Sequence, residues 1–284
     1  MKSLINILLS GMLALGCGKN LTGPGTDLLL QPPGGLYACS ADSTHVRLVW
    51  SASASASSSD FAGYTVSWSS VKDTVGGGTF SYLAGPLPQG QMQFSVLSRR
   101  SDSFTSTPVT IAWAPAYRFD NGSLVIFEQD ASRLGRAAGI SLGDRTTPPS
   151  AQILDQTSQA SIAFYLEGSG GQQLALYSGA DFYAPWNVTM FSTVTTTAAS
   201  LDTALAAFPG DATFTEHFIP VNDNVIYYAR VTTSTSEVHY IRIHVNVSGG
   251  TYPDRSAVIR LSIQRVAGVP FAAAGIPERD VPCS

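Results

Sequence analysis

The four histidines of this chain, His45, His217, His239 and His244, are its best-suited groups for metal or haem ligation. His239 and His244 fall five apart on one expected strand, so they point to opposite faces and cannot share a metal from it. The chain has no Cys-x-x-Cys, no His-x-His and no Asp-x-Asp-x-Asp-Gly loop. No metal site and no cofactor is therefore expected. Gly139-Ile140-Ser141-Leu142-Gly143 has the G-x-S-x-G spacing of a nucleophile elbow, which needs a strand before the serine and a helix after it. Thr146-Thr147-Pro148-Pro149 follows instead and cannot open a helix properly, so the five residues read as a flexible loop. The carboxylates are scattered, and since any two of them could be assembled into a glycosidase pair, none is singled out. On these residues the chain is not an enzyme.

The densest group of binding side chains is Asp181-Phe182-Tyr183-Ala184-Pro185-Trp186. Proline amid three aromatics keeps this stretch out of a central strand and points to a loop or sheet edge. Exposed, the rings of Phe182, Tyr183 and Trp186 would stack on a glycan or a peptide, and they are the candidate ligand-binding residues. Buried, they cap a core, which is the commoner use of aromatics and the preferred one here.

The elements that must position these groups are strands. Charged residues make up 13% of the 284, about half the usual share, while hydrophobic residues reach 44%. That balance fits a β-rich extracytoplasmic protein and argues against disorder. The net charge of −4, without a lysine run, gives no reason to expect nucleic acid as a partner.

Met1 to Cys17, MKSLINILLSGMLALGC, has one early lysine, an apolar run from Leu4 to Leu15, and Gly16-Cys17 at its end. The run is shorter than the ~20 residues that cross a bilayer, so it reads as a secretory signal. Ala14-Leu15-Gly16-Cys17 resembles a bacterial lipoprotein lipobox. The resemblance implies a diacylglyceryl group on the Cys17 thiol, cleavage after Gly16 and acylation of the new amine. Two or three acyl chains anchor firmly at about 0.8 kcal/mol per buried CH₂. The expected partner is thus a membrane, reached through lipid, in the cell envelope. Gly18 occupies the place of an inner-membrane retention aspartate, which leans towards the outer membrane. With Cys17 consumed by lipid, Cys39 and Cys283 remain as an even pair in an oxidising compartment, and a disulfide between them is expected.

Residues 18–31 read as a flexible tether, broken by Gly23-Pro24-Gly25 and followed by Pro32-Pro33-Gly34-Gly35, with only Leu28 to Leu30 able to pack. From Pro32 the alternation becomes regular: Val46, Leu48, Trp50; Tyr64, Val66, Trp68; Met92, Phe94, Val96. Pro32-Pro33, VRLVW, GYTVSW and LPQGQMQFSV together resemble a fibronectin type III domain over residues 32–114. That family implies a seven-stranded β-sandwich with Trp50 and Tyr64 in its core and Leu87 at a strand corner. The tyrosine expected after that leucine is Met92 here, a departure that removes the corner hydrogen bond. The Ser98–Thr107 loop has Arg99, Arg100 and Asp102 but no Arg-Gly-Asp, so integrin-type adhesion is unsupported.

Ala114-Pro115-Ala116 marks the expected boundary with a second domain over 115–270. Phe119 to Gly122 reads as a turn into a strand at Ser123–Gln129, with more strands at Ala160–Glu167 and Gln173–Tyr177. Leu201 to Phe208 is the one helical candidate, stopped by Pro209-Gly210. Val225–Thr232, Val238–Val247 and Ala257–Val266 form an antiparallel meander. On its middle strand Ile241, Ile243, Val245 and Val247 face one way and Tyr240, Arg242, His244 and Asn246 the other. The fold class is all-β: a fibronectin type III-like β-sandwich, then a second antiparallel β-sandwich or jelly-roll-like domain. Residues 271–284 read as a loose tail. The function expected is a lipid-anchored binding or assembly module for a glycan, peptide or protein. The alternative is a cell-envelope hydrolase with its catalytic groups in the second domain.

Overall fold

A computed structural model describes residues 29–144, 147–155, 161–168, 172–205, 207–271 and 281–282. Strands take up 51% of the chain and helix 4%, so face-to-face sheets must supply the core. The fold is an all-β sandwich architecture. Seven strands come first: β1 (Gly34–Ser40), β2 (Val46–Ser51), β3 (Phe61–Trp68), β4 (Val71–Val75), β5 (Ser81–Ala84), β6 (Met92–Arg100) and β7 (Val109–Trp113). They form a three-stranded sheet, β1-β2-β5, and a four-stranded sheet, β4-β3-β6-β7. Val46, Leu48 and Trp50 are buried on alternate positions of β2, as are Phe94 and Val96 on β6. Between the sheets the Trp50 and Tyr64 rings meet edge to face at 5.6 Å, a geometry worth about 0.5–1.5 kcal/mol beyond burial. Gly63 is required in β3: its φ is +124°, and a Cβ there would run into the Val75 carbonyl oxygen.

The remaining strands are β8 (Tyr117–Phe127), β9 (Ala137–Ser141), β10 (Ser150–Ile153), β11 (Phe164–Glu167), β12 (Ala175–Ser178), β13 (Val188–Thr197), β14 (Thr203–Ala204), β15 (Phe214–Glu216), β16 (Phe218–Pro220), β17 (Val225–Thr232), β18 (Val238–Ser248), β19 (Ser256–Ile263) and β20 (Val281–Pro282). A short α-helix, α1 (Gly179–Phe182), links β12 to β13. A six-stranded sheet, β15-β13-β17-β18-β19-β8, packs on a five-stranded one, β10-β9-β11-β12-β16. The meander expected near the end is β17-β18-β19, antiparallel throughout. Ile241, Ile243 and Val245 point into the core between these two sheets, as alternation requires.

The opposite face of β18 is buried as well. Tyr240, Arg242 and His244 lie under the segment 198–214, which crosses that face of the six-stranded sheet. Phe208 on this segment meets Tyr228 at 5.3 Å and Tyr240 at 6.0 Å, then stacks on Phe271 at 4.9 Å. Phe271 in turn meets Trp113 of β7 at 6.0 Å. One apolar cluster therefore runs from Trp50 and Tyr64 through Trp113, Phe271 and Phe208 to Tyr228. Backbone bonds between Ala38 and Leu205, and from the Ala114 N–H to the Phe271 carbonyl, join the same parts. Ala114 and Ala116, expected at a domain boundary, are buried in this join.

Several local expectations give way to these contacts. The helix expected over Leu201–Phe208 is absent: Thr203 and Ala204 form β14, and Leu201, Leu205 and Phe208 are buried on the first half. Tertiary burial outweighs a helical pattern this short. The turn at Phe119–Gly122 lies within continuous strand β8, where the ladder to β19 is irregular between Ile259 and Leu261. Gly139–Ser141 belongs to strand β9 and is not a flexible loop. At the end of the expected tether, Leu30 is buried and Gln31 is bonded to Ser53 and Ser55. The tail is fixed at its first residue, since Phe271 is fully buried, and at β20, whose backbone pairs with β14.

His244 makes the join pH-sensitive. Its Nε2–H donates to the Ala198 carbonyl at 2.9 Å, and Arg242, Arg260 and Asp223 lie around it. Burial pushes its pKa below the ordinary histidine value of 6.5; Arg260 and Arg242 add to the fall, against the Ala198 carbonyl and Asp223. An unfolded chain then binds a proton near pH 6.5 that the folded one refuses until lower pH. The His244 contribution to stability is complete above pH 6.5 and shrinks as the pH drops below it. His244→Gln keeps an N–H donor and should flatten thermal stability between about pH 6.5 and 5. Melting curves across that range check this, and a slope equal to that of the wild type contradicts it.

Candidate functional site

Where β9, β17 and β19 end and β13 and β18 begin, the second sandwich opens into a cleft of about 310 Å³, within the range of small-ligand sites. The meander supplies one wall. Gln264 N–H donates to the Tyr240 carbonyl, continuing the β18–β19 ladder past Ile263. One more pair in that register sets Arg265 opposite His239, on the face that carries Ile241 and Ile263. His239 donates from Nδ1 to the Gln264 carbonyl at 3.0 Å, which leaves Nε2 towards Glu237 at 3.7 Å. Glu237 is largely exposed at the rim, whereas the His239 side chain is 17% exposed.

Arg265 is the more unusual group. Its guanidinium lies 4.3 Å above the Tyr117 ring and donates to the Thr147 carbonyl at 3.4 Å. Its Nε is buried and has no hydrogen-bond partner among the described residues. Burial pushes its pKa down, opposed by Tyr117 and Asp144. The facing wall is Leu142, Gly143 and Asp144 beyond β9. Gly143 turns the chain there with φ +66°, and Asp144 accepts from the Thr147 N–H at 2.7 Å. Asn187, buried and bonded through Oδ1 to the Ser161 hydroxyl, closes the inner end. The cleft thus offers a half-buried cation, an imidazole, two carboxylates and an amide over the apolar side chains of Leu142 and Ile263.

The aromatic cluster, a candidate for ligand only if exposed and preferred as packing, packs mainly on itself. Trp186 is buried at 5% exposure, stacked on Phe182 at 5.6 Å and 11°, with Tyr183 edge-on to it. With their faces turned to each other, Phe182 and Trp186 have little flat surface left for a sugar. Phe182 continues into a row formed by Tyr165, Tyr177 and Phe218 on β11, β12 and β16, and Phe218 is half exposed at its end.

Cys17 and Cys283, expected to be lipidated and disulfide-bonded, lie outside the described residues. Cys39 is fully buried on β1 against Ala204 of β14. Ser141 lies on β9 opposite Ser150. The sequence reading missed Asp144, Asn187, Glu237 and Arg265, and it considered His239 only as a metal ligand. Their signal was weak: polar residues at strand ends, where the apolar alternation of the meander stops. No protein-family profile matches this chain, and no curated protein sequence matches it.

Proposed function

We propose that this chain is a cell-envelope lipoprotein, anchored through Cys17, that binds a small polar ligand in the cleft of its second sandwich. The cleft carries the binding reading: it combines charged and amide groups over an apolar floor, the usual make-up of a small-molecule site. The lipid anchor and its outer-membrane leaning rest on Ala14-Leu15-Gly16-Cys17-Gly18. For the first half, the strand orders β1-β2-β5 and β4-β3-β6-β7 support a fibronectin type III-like domain. That domain acts as a spacer fused to the binding unit through Phe271 and Phe208.

A Cys39–Cys283 disulfide belongs to the same reading. Its support is that β20, which ends one residue before Cys283, pairs with β14, and Ala204 of β14 packs on Cys39. A cell-envelope hydrolase is the second reading, favoured by one observation, the His239–Glu237 contact of 3.7 Å.

Ala267 is exposed at the cleft, so Ala267→Trp should fill its mouth while leaving the core alone. Full-length protein in detergent, applied to glycan and peptide arrays, should bind at least one class, and Ala267→Trp should lose that binding at least tenfold. Binding unchanged by Ala267→Trp contradicts the cleft. Hydrolysis of an arrayed compound, lost in His239→Gln, favours the hydrolase.

A further inference from the structure

The charges lining the cleft are of both signs. Arg265 has little to offset its charge: a ring face, a long bond to one carbonyl and the more exposed Asp144, with its Nε unpartnered among the described residues. A partly buried guanidinium with an unpartnered Nε gains most from a carboxylate, which accepts two of its N–H groups at once. Glu237 stands at the rim beyond His239 with its carboxylate in solvent, open to an ammonium group. A neutral sugar would leave the Arg265 charge without an anion. A simple anion would leave Glu237 and Asp144 opposing it. A molecule with both charges satisfies each wall.

We propose that the cleft takes a small zwitterion, a free amino acid or a short peptide, with its carboxylate on Arg265 and its ammonium on Glu237. The apolar contacts of Leu142 and Ile263 then receive an aliphatic side chain. The volume of about 310 Å³ suits one or two residues and excludes longer peptides lying wholly inside. Specificity arises because a blocked terminus leaves one charge of the site unpaired, a heavier loss than a missing apolar contact. This inference rests on the cleft being the ligand site.

The probes are the twenty common amino acids and their glycyl dipeptides, each also N-acetylated or C-amidated, titrated into the full-length protein with detection by amide NMR shifts near His239 and Thr233. At least one free probe should bind, and each blocked form should bind at least tenfold more weakly. Arg265→Gln should erase the preference for carboxylate over amide and keep the preference for a free amine; Glu237→Gln should do the reverse. Arg265→Lys keeps the charge and should retain the carboxylate preference, so a fold defect in Arg265→Gln would not leave the matter open. Free amino acids binding best, or dipeptides binding best, identifies the source. No binding by any free probe, or equal binding of blocked forms, overturns the zwitterion. If the arrays still show a ligand lost in Ala267→Trp, the cleft stands without it; if free probes bind equally well in Ala267→Trp, the cleft itself is wrong.

Discussion

Trp113→Ala should destabilise the whole chain by about 3 to 5 kcal/mol, the usual cost of emptying a large aromatic site that cannot collapse. Trp113 is fully buried, donates from Nε1 to the Ser40 hydroxyl at 3.1 Å and touches Phe271 at 6.0 Å. Its loss removes a contact from each half and leaves Ser40 with only the Ala114 carbonyl. At roughly 2 to 4 °C per kcal/mol for a chain of this size, melting should fall by about 6 to 20 °C. Because the apolar cluster is continuous from Trp50 to Tyr228, the two halves should still melt together. Calorimetry that gave two transitions, with only one shifted, would contradict a shared core.

Arg255→Ala should cost a similar amount by a different route. Glu128, with a side-chain exposure of 0%, receives the Arg255 guanidinium through Nε at 2.7 Å and Nη2 at 2.5 Å. Arg255 also donates to the carbonyls of Gln172 and Gly168, so one side chain ties β8 to the chain between β11 and β12. Removing it strands a buried carboxylate and two carbonyls, typically a loss of about 3 to 5 kcal/mol. The double variant Arg255→Ala, Glu128→Leu should recover more than half of that, since no buried charge remains. Chemical denaturation of both variants measures it. A cost for Arg255→Ala below about 1 kcal/mol, as for a surface pair, would show that the bridge is solvated.

Long alternation made most of the architecture legible. Val225–Thr232 and Val238–Val247 declared themselves because each runs eight or more residues rich in Val, Ile and Tyr between short polar connections. Shorter or interrupted stretches failed for identifiable reasons. β8 carries an irregularity opposite Arg260, which breaks the period and imitates a turn. Leu201, Leu205 and Phe208 are spaced as on a helix, yet each is buried by contacts far away in sequence. Phe271 looked like tail because nothing local marks it; its partners are Trp113 and Phe208. The polar face of β18 was legible as a face, but not that it would be covered, since Thr203 and Ala198 supply its partners from elsewhere. The cleft depends on Asp144, His239 and Arg265 meeting from three strand ends, and no spacing within one segment encodes that.

The claim on which the proposed biology rests is that lipid at Cys17 holds this protein in an envelope. Peptide mass spectrometry of the full-length chain, expressed in a bacterium with lipoprotein processing and extracted from its membranes without reductant, tests it most directly. The expected result is a mature amino terminus at Cys17 carrying a diacylglyceryl thioether and an acylated amine. The same digest should contain a linked pair of peptides holding Cys39 and Cys283. That bridge, closing most of the chain, would add at most about 5 kcal/mol through the unfolded state. Chain beginning elsewhere, or beginning at Cys17 with a free thiol and no acyl mass, would contradict the anchor.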